Sequence, residues 1–369
     1  MSKQNHTFHF TSESVTEGHP DKICDRISDA ILDAYLQKDS YSRCAIECIV
    51  TKNQLVIAGE ISSKIKINHE EIARNVILEI GYIDPLLGFH TGCDILDLIH
   101  IQAPELNKNE GAGDQGFVFG YACNQTKELM PLPIVLAHKL THRLTEVRKE
   151  NIIEGLYPDG KSQVTVRYEN NMPVSIDNII VSAHHSNRYK DENQFEILKS
   201  KIINHVVSHA IPKELIPDKA FITINPNGQW YKSGGPAADT GVTGRKIIAD
   251  TYGGFARHGG GAFSGKDATK VDRSGAYLAR KLAKSIVQKR YANECEIQLG
   301  FAIGKTKPIS RAVKTFGTEN VSIEKIQQYL FENSDITLGQ MIENLNLREP
   351  RFQELTNYGH FGRDEFIWS

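Results

Sequence analysis

The chain has 369 residues and a mass of 41.3 kDa, with 40% hydrophobic and 24% charged residues. Its 43 basic and 45 acidic side chains leave a formal net charge of −2, which argues against a protein whose main task is coating nucleic acid or an anionic membrane. The composition is globular, the length suits two or three domains, and no run approaches the ~18 apolar residues of a membrane span.

The first ten residues are polar and carry no apolar signal core, so a cytoplasmic location is expected. From Pro20 to Leu36, Ile23, Ile27, Ile31 and Ala34 recur at helical spacing, with Pro20 suited to the first turn. Asp21, Asp25, Asp29 and Asp33 recur every four residues and read for the most part as a solvated acidic face. Cys44–Val50 and Gln54–Glu60 read as a hairpin through Thr51–Asn53. A helix follows over Asn68–Ile80, then a polar, Gly-rich loop and domain junction over Pro104–Gly113. Phe117–Ala122 reads as a strand, Pro133–Lys149 as a helix, Ser162–Tyr168 and Asn178–Ala183 as strands. Gln194–Ala210 reads as a helix and Phe221–Asn225 as a short strand. Beyond the glycine cluster come a helix over Asp272–Gln288, strands over Glu294–Gly304 and Ala312–Phe316, and helices over Ile323–Asn333 and Leu338–Leu345. Mixed helices and strands predict a layered α/β or α+β protein. None of the six cysteines forms a C-x-x-C pair, so they read as buried thiols and not as a zinc or disulfide framework.

Gly111-Ala-Gly-Asp-Gln-Gly116 satisfies G-x-G-x-x-G, but a loop precedes it and a strand follows, the reverse of a dinucleotide fold. It reads as a loop that presents Asp114 and lets backbone approach a ligand. Eleven of the 29 glycines fall between Gly228 and Gly265. Gly260-Gly-Ala-Phe-Ser-Gly-Lys-Asp267 nearly matches a P-loop, with Asp267 where a Ser or Thr belongs. Arg245, Lys246, Arg257, Lys266, Lys270 and Arg273, interleaved with Asp239, Asp267 and Asp272, read as a polyphosphate and metal site. His19-Pro20-Asp21-Lys22 is a second polar group at a helix start. There is no G-x-S-x-G, H-E-x-x-H or kinase motif set, and no base–nucleophile pair.

Phe10-Thr-Ser-Glu-Ser-Val-Thr-Glu-Gly-His-Pro-Asp-Lys22, Gly111–Gly116, Thr240-Gly-Val-Thr-Gly-Arg-Lys-Ile-Ile-Ala-Asp-Thr-Tyr-Gly-Gly254 and His258-Gly-Gly-Gly-Ala-Phe-Ser-Gly-Lys-Asp267 together closely resemble the S-adenosylmethionine synthetases. The likeness runs from about Phe8 to Trp368 and includes Tyr358-Gly-His-Phe-Gly-Arg363. It implies three similar subdomains in pseudo-threefold arrangement, divided here as 1–105, 111–231 and 232–369. It also implies a homodimer or homotetramer with active sites at the subunit interface. The implied reaction joins ATP and L-methionine: sulfur attacks the ribose C5′ carbon, and the departing triphosphate is then hydrolysed with water to pyrophosphate and phosphate. A thioether has no proton to lose, so the missing base is no puzzle. The demand is for positive charge on the leaving group.

Carried over by position, the resemblance implies His19, Lys161, Arg245, Lys246, Lys266 and Lys270 as the catalytic set. His19, Asp159, Lys161, Asp239, Arg245, Lys246, Ala262 and Lys266 would contact ATP. Glu60, Gln102, Asp114, Asp239 and Lys270 would contact methionine. Asp21 and Asp272 would hold magnesium, with two ions expected, and Glu47 potassium. Trp230 is the candidate for stacking on adenine, with Tyr231 the rival register, because Gly228-Gln-Trp-Tyr-Lys-Ser-Gly-Gly-Pro236 is one residue longer than the family pattern. The loop after Gln102 is shorter than usual. A ligand-sensing relative without turnover and a triphosphatase with relaxed methionine need are the competing readings.

Overall fold

The structure, a computed structural model, describes residues 6–102 and 111–369; the short loop 103–110 lies outside them. Strand β1 (Thr7–Val15) leads to helix α1 (Pro20–Lys38), which starts where His19 Nδ1 accepts the Asp21 amide at 3.2 Å and Pro20 occupies the first turn. β2 (Arg43–Thr51) and β3 (Gln54–Ser62) form a hairpin whose two-residue turn puts Asn53 at φ 52°, a conformation asparagine tolerates. α2 (His69–Ile80) is capped by Asn68 and stopped by Gly81 at φ 101°. It carries the chain over to β4 (Asp94–Ile101), which lies parallel to β3.

β5 (Gly116–Cys123), α3 (Leu132–Lys149), β6 (Leu156–Glu169), β7 (Met172–His185), α4 (Glu192–Ile202) and β8 (Phe221–Ile224) make up the middle of the chain. The last part holds the short β9 (Gly241–Val242), α5 (Val271–Gln288), β10 (Glu294–Phe301), β11 (Ser310–Lys314), α6 (Ile323–Ser334) and α7 (Leu338–Asn344).

These strands form three sheets, ordered β1-β6-β7-β8, β11-β10-β5 and β4-β3-β2-β9. Each sheet takes strands from more than one third of the chain, so the thirds are stitched together by strand pairing. Helices cover one face of each: α3 lies on β6 and β1, α5 on β5 and β10, and α1 on β2. Gly120 of β5 meets the Ala279 backbone so closely that a Cβ would fall 2.0 Å from its carbonyl carbon. The layered α/β fold follows the expectation.

The details differ in four places. β1 and β4 were not expected, because Thr and Ser in β1 and Asp94, Asp97 and His100 in β4 break the apolar alternation. β6 and β7 run to 14 residues each. The helix beginning at Glu192 passes into a π-helical turn over Ile203–Val207. β11 ends at Lys314, not Phe316, since Phe316 and Gly317 take positive φ of 58° and 76°.

Candidate active site

The first three aspartates of α1 do not face water, and Asp33 is partly buried. Asp25 and Asp29 are 0% exposed and Asp21 is 2% exposed. Each carboxylate instead accepts a backbone N–H from one of three segments of the C-terminal third: Asp21 from Val242 (2.9 Å) and Asp25 from Gly244 (2.8 Å) of one loop, Asp29 from Gly265 (2.8 Å), and Asp33 from Phe352 and Gln353 (3.0 and 2.8 Å). Residues four apart share a helix face, so one row of carboxylates pins the Gly-rich loops in order. The expectation of a solvated acidic face is therefore corrected. Backbone amides and cations from elsewhere in the chain satisfy the buried charge, and these partners were invisible in local sequence.

The same row locks the loops onto β2. β9 pairs with Ile49 and Val50, and Gly265 O accepts the Ile46 amide at 3.0 Å. The Thr240–Lys246 and Gly259–Lys270 loops thus lie along one edge of β2. They also touch directly: a Cβ on Gly244 would fall 2.4 Å from that of Ala262.

The first polar group gathers at the N-terminus of α1. Asp21 is bonded by Lys246 Nζ, and its Oδ1 lies 3.9 Å from the Arg245 guanidinium. Burial pushes the Asp21 carboxyl up, but the Lys246 and Val242 hydrogen bonds outweigh it and hold the group below its ordinary value. Burial, then the charges of Lys246 and Lys161, push His19 down to about 3. It is neutral at pH 7, and because Nδ1 accepts the Asp21 amide, its proton sits on Nε2. Lys22 is buried between Asp25 (2.9 Å) and Asp250. It anchors the loop instead of facing a ligand.

On the middle sheet, Lys161 is exposed on β6. Asp159 is buried; its Oδ2 accepts Gly235 N at 2.8 Å and its Oδ1 has no hydrogen-bond partner among the described residues. Burial raises Asp159 to about 6. Asp239 is exposed beside this loop.

The second polar group is built on the Gly259–Lys270 loop and the start of α5. Lys266 Nζ bonds Asp272 at 2.6 Å and Lys270 pairs with Asp267. Gly261 packs so close to Asp272 that a Cβ would lie 2.2 Å from its carboxyl carbon. Two members of the expected cation set are accounted for otherwise. Arg273 is 0% exposed and bidentate to Asp29 (2.7 and 2.8 Å), and Arg257 pairs with Glu296 at 2.6 Å. Both are structural ion pairs.

The methionine-side residues are more scattered. Glu60 stands on β3 opposite His100 of β4, at 3.9 Å. Gln102, two residues on, is buried, and its Oε1 has no hydrogen-bond partner among the described residues. Asp114 is exposed and accepts its neighbour's amide. Glu47 is exposed on the outward face of β2, opposite Ala58. The middle of that face is largely apolar. The cross-strand rows Val242–Ile49–Val56–Leu96 and Ala58–Leu98 have Leu96 and Leu98 about half exposed. Its pattern was not noticed in the sequence because β4 was not. A cleft of about 700 Å³ lined by Glu17, Arg26, His138, Tyr358 and Arg363 lies elsewhere and includes none of the expected site residues.

Models of the N-terminal, central and C-terminal domains of S-adenosylmethionine synthetase match residues 7–104, 109–230 and 233–369. The S-adenosylmethionine synthase of Sorangium cellulosum (strain So ce56) is 46% identical over 372 residues, covering 98% of this chain and 87% of that protein. The chain belongs to the S-adenosylmethionine synthetase family.

It is accordingly a transferase of the methionine adenosyltransferase type, acting on ATP and methionine, and its family is metal-dependent. Among the described residues no three His, Cys, Asp or Glu side chains converge as a preformed metal cage. Magnesium does not need one: it binds through one or two carboxylates together with substrate phosphates. Asp21 and Asp272 fit that role, since each already has a lysine ammonium against its oxygens. No helix among the described residues is long and apolar enough to cross a membrane.

Proposed function

We propose that S-adenosylmethionine forms where the Thr240–Lys246 and Gly259–Lys270 loops carry their cations to a shared triphosphate. The observation that carries the reading is the repeated pair: Lys246 on Asp21 and Lys266 on Asp272, each an ammonium held on a carboxylate. When ATP binds, phosphate oxygens would take the Lys246 and Lys266 ammoniums, and the Asp21 and Asp272 carboxylates so released would be free to hold magnesium, which keeps the charge balanced while the pairs open. Magnesium, two ions in this reading, supplies charge stabilisation on the leaving triphosphate when bound. His19 donates from Nε2. Lys161, Arg245 and Lys246 hold one flank of the phosphates, and Lys266 and Lys270 the other. Asp159, Trp230, Asp239 and Ala262 enclose the nucleoside. Glu60, Gln102, Asp114, Asp239 and Lys270 orient methionine so that its sulfur meets C5′. Glu47 is the proposed potassium ligand.

We further propose a homodimer, or a pair of dimers, joined through the apolar outward face of the β4-β3-β2-β9 sheet, with each active site shared between copies. The exposed Leu96, Leu98 and Ile49 support this. Glu47 and Glu60 stand on the same face and would then line the junction. The subdomain division at 1–105, 111–231 and 232–369 and a cytoplasmic location complete the proposal.

The test is formation of S-adenosylmethionine from ATP and methionine with magnesium and potassium. Lys266→Ala is expected to lower kcat by about 10²–10³, about 2.7–4 kcal/mol, as for loss of one preorganised charge-stabilising donor. Wild-type turnover in that variant would misplace the site, and phosphate release indifferent to methionine would favour a triphosphatase.

A further inference from the structure

Two aromatic residues compete for the adenine in the reading above, and the surroundings of β7 separate them. His184 and His185 end that strand and point to opposite faces. His185 faces the α4 side, with Tyr189 at 5.8 Å and Phe195 at 5.9 Å, and the Tyr231 ring lies against it at 6.2 Å. His184 faces the other side, between Tyr157 (centroids 4.7 Å apart, planes tilted by 49°) and Trp230 (5.2 Å, tilted by 35°). The Trp230 face carries the loop that Asp159 anchors through Gly235 N.

We infer that His184 is a positioning residue for the nucleotide base: it packs against the indole of Trp230 as the middle, tilted ring of a Tyr157–His184–Trp230 column, and Trp230, not Tyr231, is the stacking surface. The inference rests on the ATP reading of the site.

The column is held at every edge. His185 N donates to Trp230 O at 3.0 Å, and the Trp230 amide donates to His185 Nε2 at 3.0 Å. His185 Nδ1 lies 3.0 Å from Ser186 O, to which it donates its proton. The indole N–H donates to Ser233 O at 2.6 Å, so the ring cannot spin and offers a ligand only its face. Gly234 passes over His184 so closely that a Cβ would fall 2.5 Å from Nδ1. His184 is 1% exposed, and neither of its ring nitrogens has a hydrogen-bond partner among the described residues. Burial lowers its pKa to about 4, so it packs as a neutral ring. Trp230 itself is only half-buried. A rigid, one-sided aromatic is what base stacking requires, because little freedom remains to be lost on binding.

The test separates base from phosphate recognition. Steady-state kinetics are measured with ATP and, in parallel, with inorganic tripolyphosphate, which has no base. His184→Ala is expected to raise the KM for ATP about tenfold with kcat within about twofold, and to leave tripolyphosphate hydrolysis unchanged. His184→Phe, which keeps a ring, is expected to restore the KM for ATP to within about twofold. Trp230→Ala is expected to raise that KM at least as much as His184→Ala, and Tyr231→Ala to leave it unchanged. Only two tryptophans are present and Trp368 is buried. Intrinsic fluorescence therefore gives an independent reading: ATP changes the signal of the wild type, and Trp230→Ala abolishes that change. A wild-type KM for ATP in His184→Ala, an equal loss with tripolyphosphate, or a raised KM in Tyr231→Ala alone would overturn the inference. Failure of the wild type to make S-adenosylmethionine while ATP still perturbs Trp230 fluorescence would sink the catalytic reading and leave this one standing.

Discussion

The inward row of α1 and the outward face of the β4-β3-β2-β9 sheet lie on either side of the same strand, and each reverses the usual distribution of polarity. Beneath β2, four aspartates point inward. Above it, Ile49, Val56, Leu96 and Leu98 point out. The buried carboxylates are tolerable because every one meets a backbone amide, and three of them also meet a cation: Lys246, Lys22 and Arg273. Nothing comparable covers the apolar rows within the described residues. The inner face is satisfied by partners from the same chain, whereas the outer face leaves apolar side chains exposed. Under the proposed pairing of two copies, the loops tied to the inner face would lie at the border of the surface that the second copy covers.

The sharpest way to break the inner face is Asp29→Ala. Arg273 would be left fully buried without its bidentate partner, and the Gly265 amide would lose its acceptor. The expected cost is about 3–5 kcal/mol of folding stability, the range for removing one partner of a buried ion pair. Urea denaturation measures it, and a change under 1 kcal/mol would mean that the row is not what holds the Gly259–Lys270 loop.

The outer face responds to the opposite kind of change. Leu98→Lys puts an ammonium on an already exposed position, so the stability of the single chain should barely move. Association should weaken about 100-fold, about 2.7 kcal/mol, because the charge must be buried on pairing. Sedimentation over a concentration series reads the shift. If the variant associates as the wild type does, the sheet face is not the junction.

Local pattern explains what could be foreseen. The apolar spacing of Ile23, Ile27 and Ile31 revealed α1, and its N-terminal signals were in order. The glycines and cations of Gly241–Lys270 marked the loops proposed to hold phosphate. The function of Asp25, Asp29 and Asp33 was not legible, because their partners lie more than two hundred residues away at Gly244, Gly265 and Phe352, and nothing near them in sequence announces a buried acceptor. Arg273 was misread for the same reason: a cation beside glycines looks like a ligand contact until its partner is known. β4 was missed because a strand with one apolar face turned outward, interrupted by Asp97 and His100, has neither the alternation nor the burial that sequence reading relies on. The His184 column is equally non-local, since three strand and loop segments meet only in the folded chain.

The smallest effect is at Asp33, where the row reaches water. Burial raises this carboxyl to about 7, even though Phe352 N and Gln353 N donate to it. Below about pH 4 it is protonated in both the folded and the unfolded chain, and its contribution is fully present. Between about 4 and 7 the folded chain keeps a proton that the unfolded chain has lost, so stability falls as pH rises through this window. Above about 7 the charge is carried in both states and the loss is complete. Asp33 is only partly enclosed, so water moderates the penalty to about 1 kcal/mol. Asp33→Asn carries no charge at any pH and should flatten that part of the stability profile by this amount. Thermal unfolding of the two proteins from pH 4.5 to 8 provides the comparison. Parallel profiles would mean that the row is screened by solvent at this end, and that only Asp21, Asp25 and Asp29 behave as buried charge.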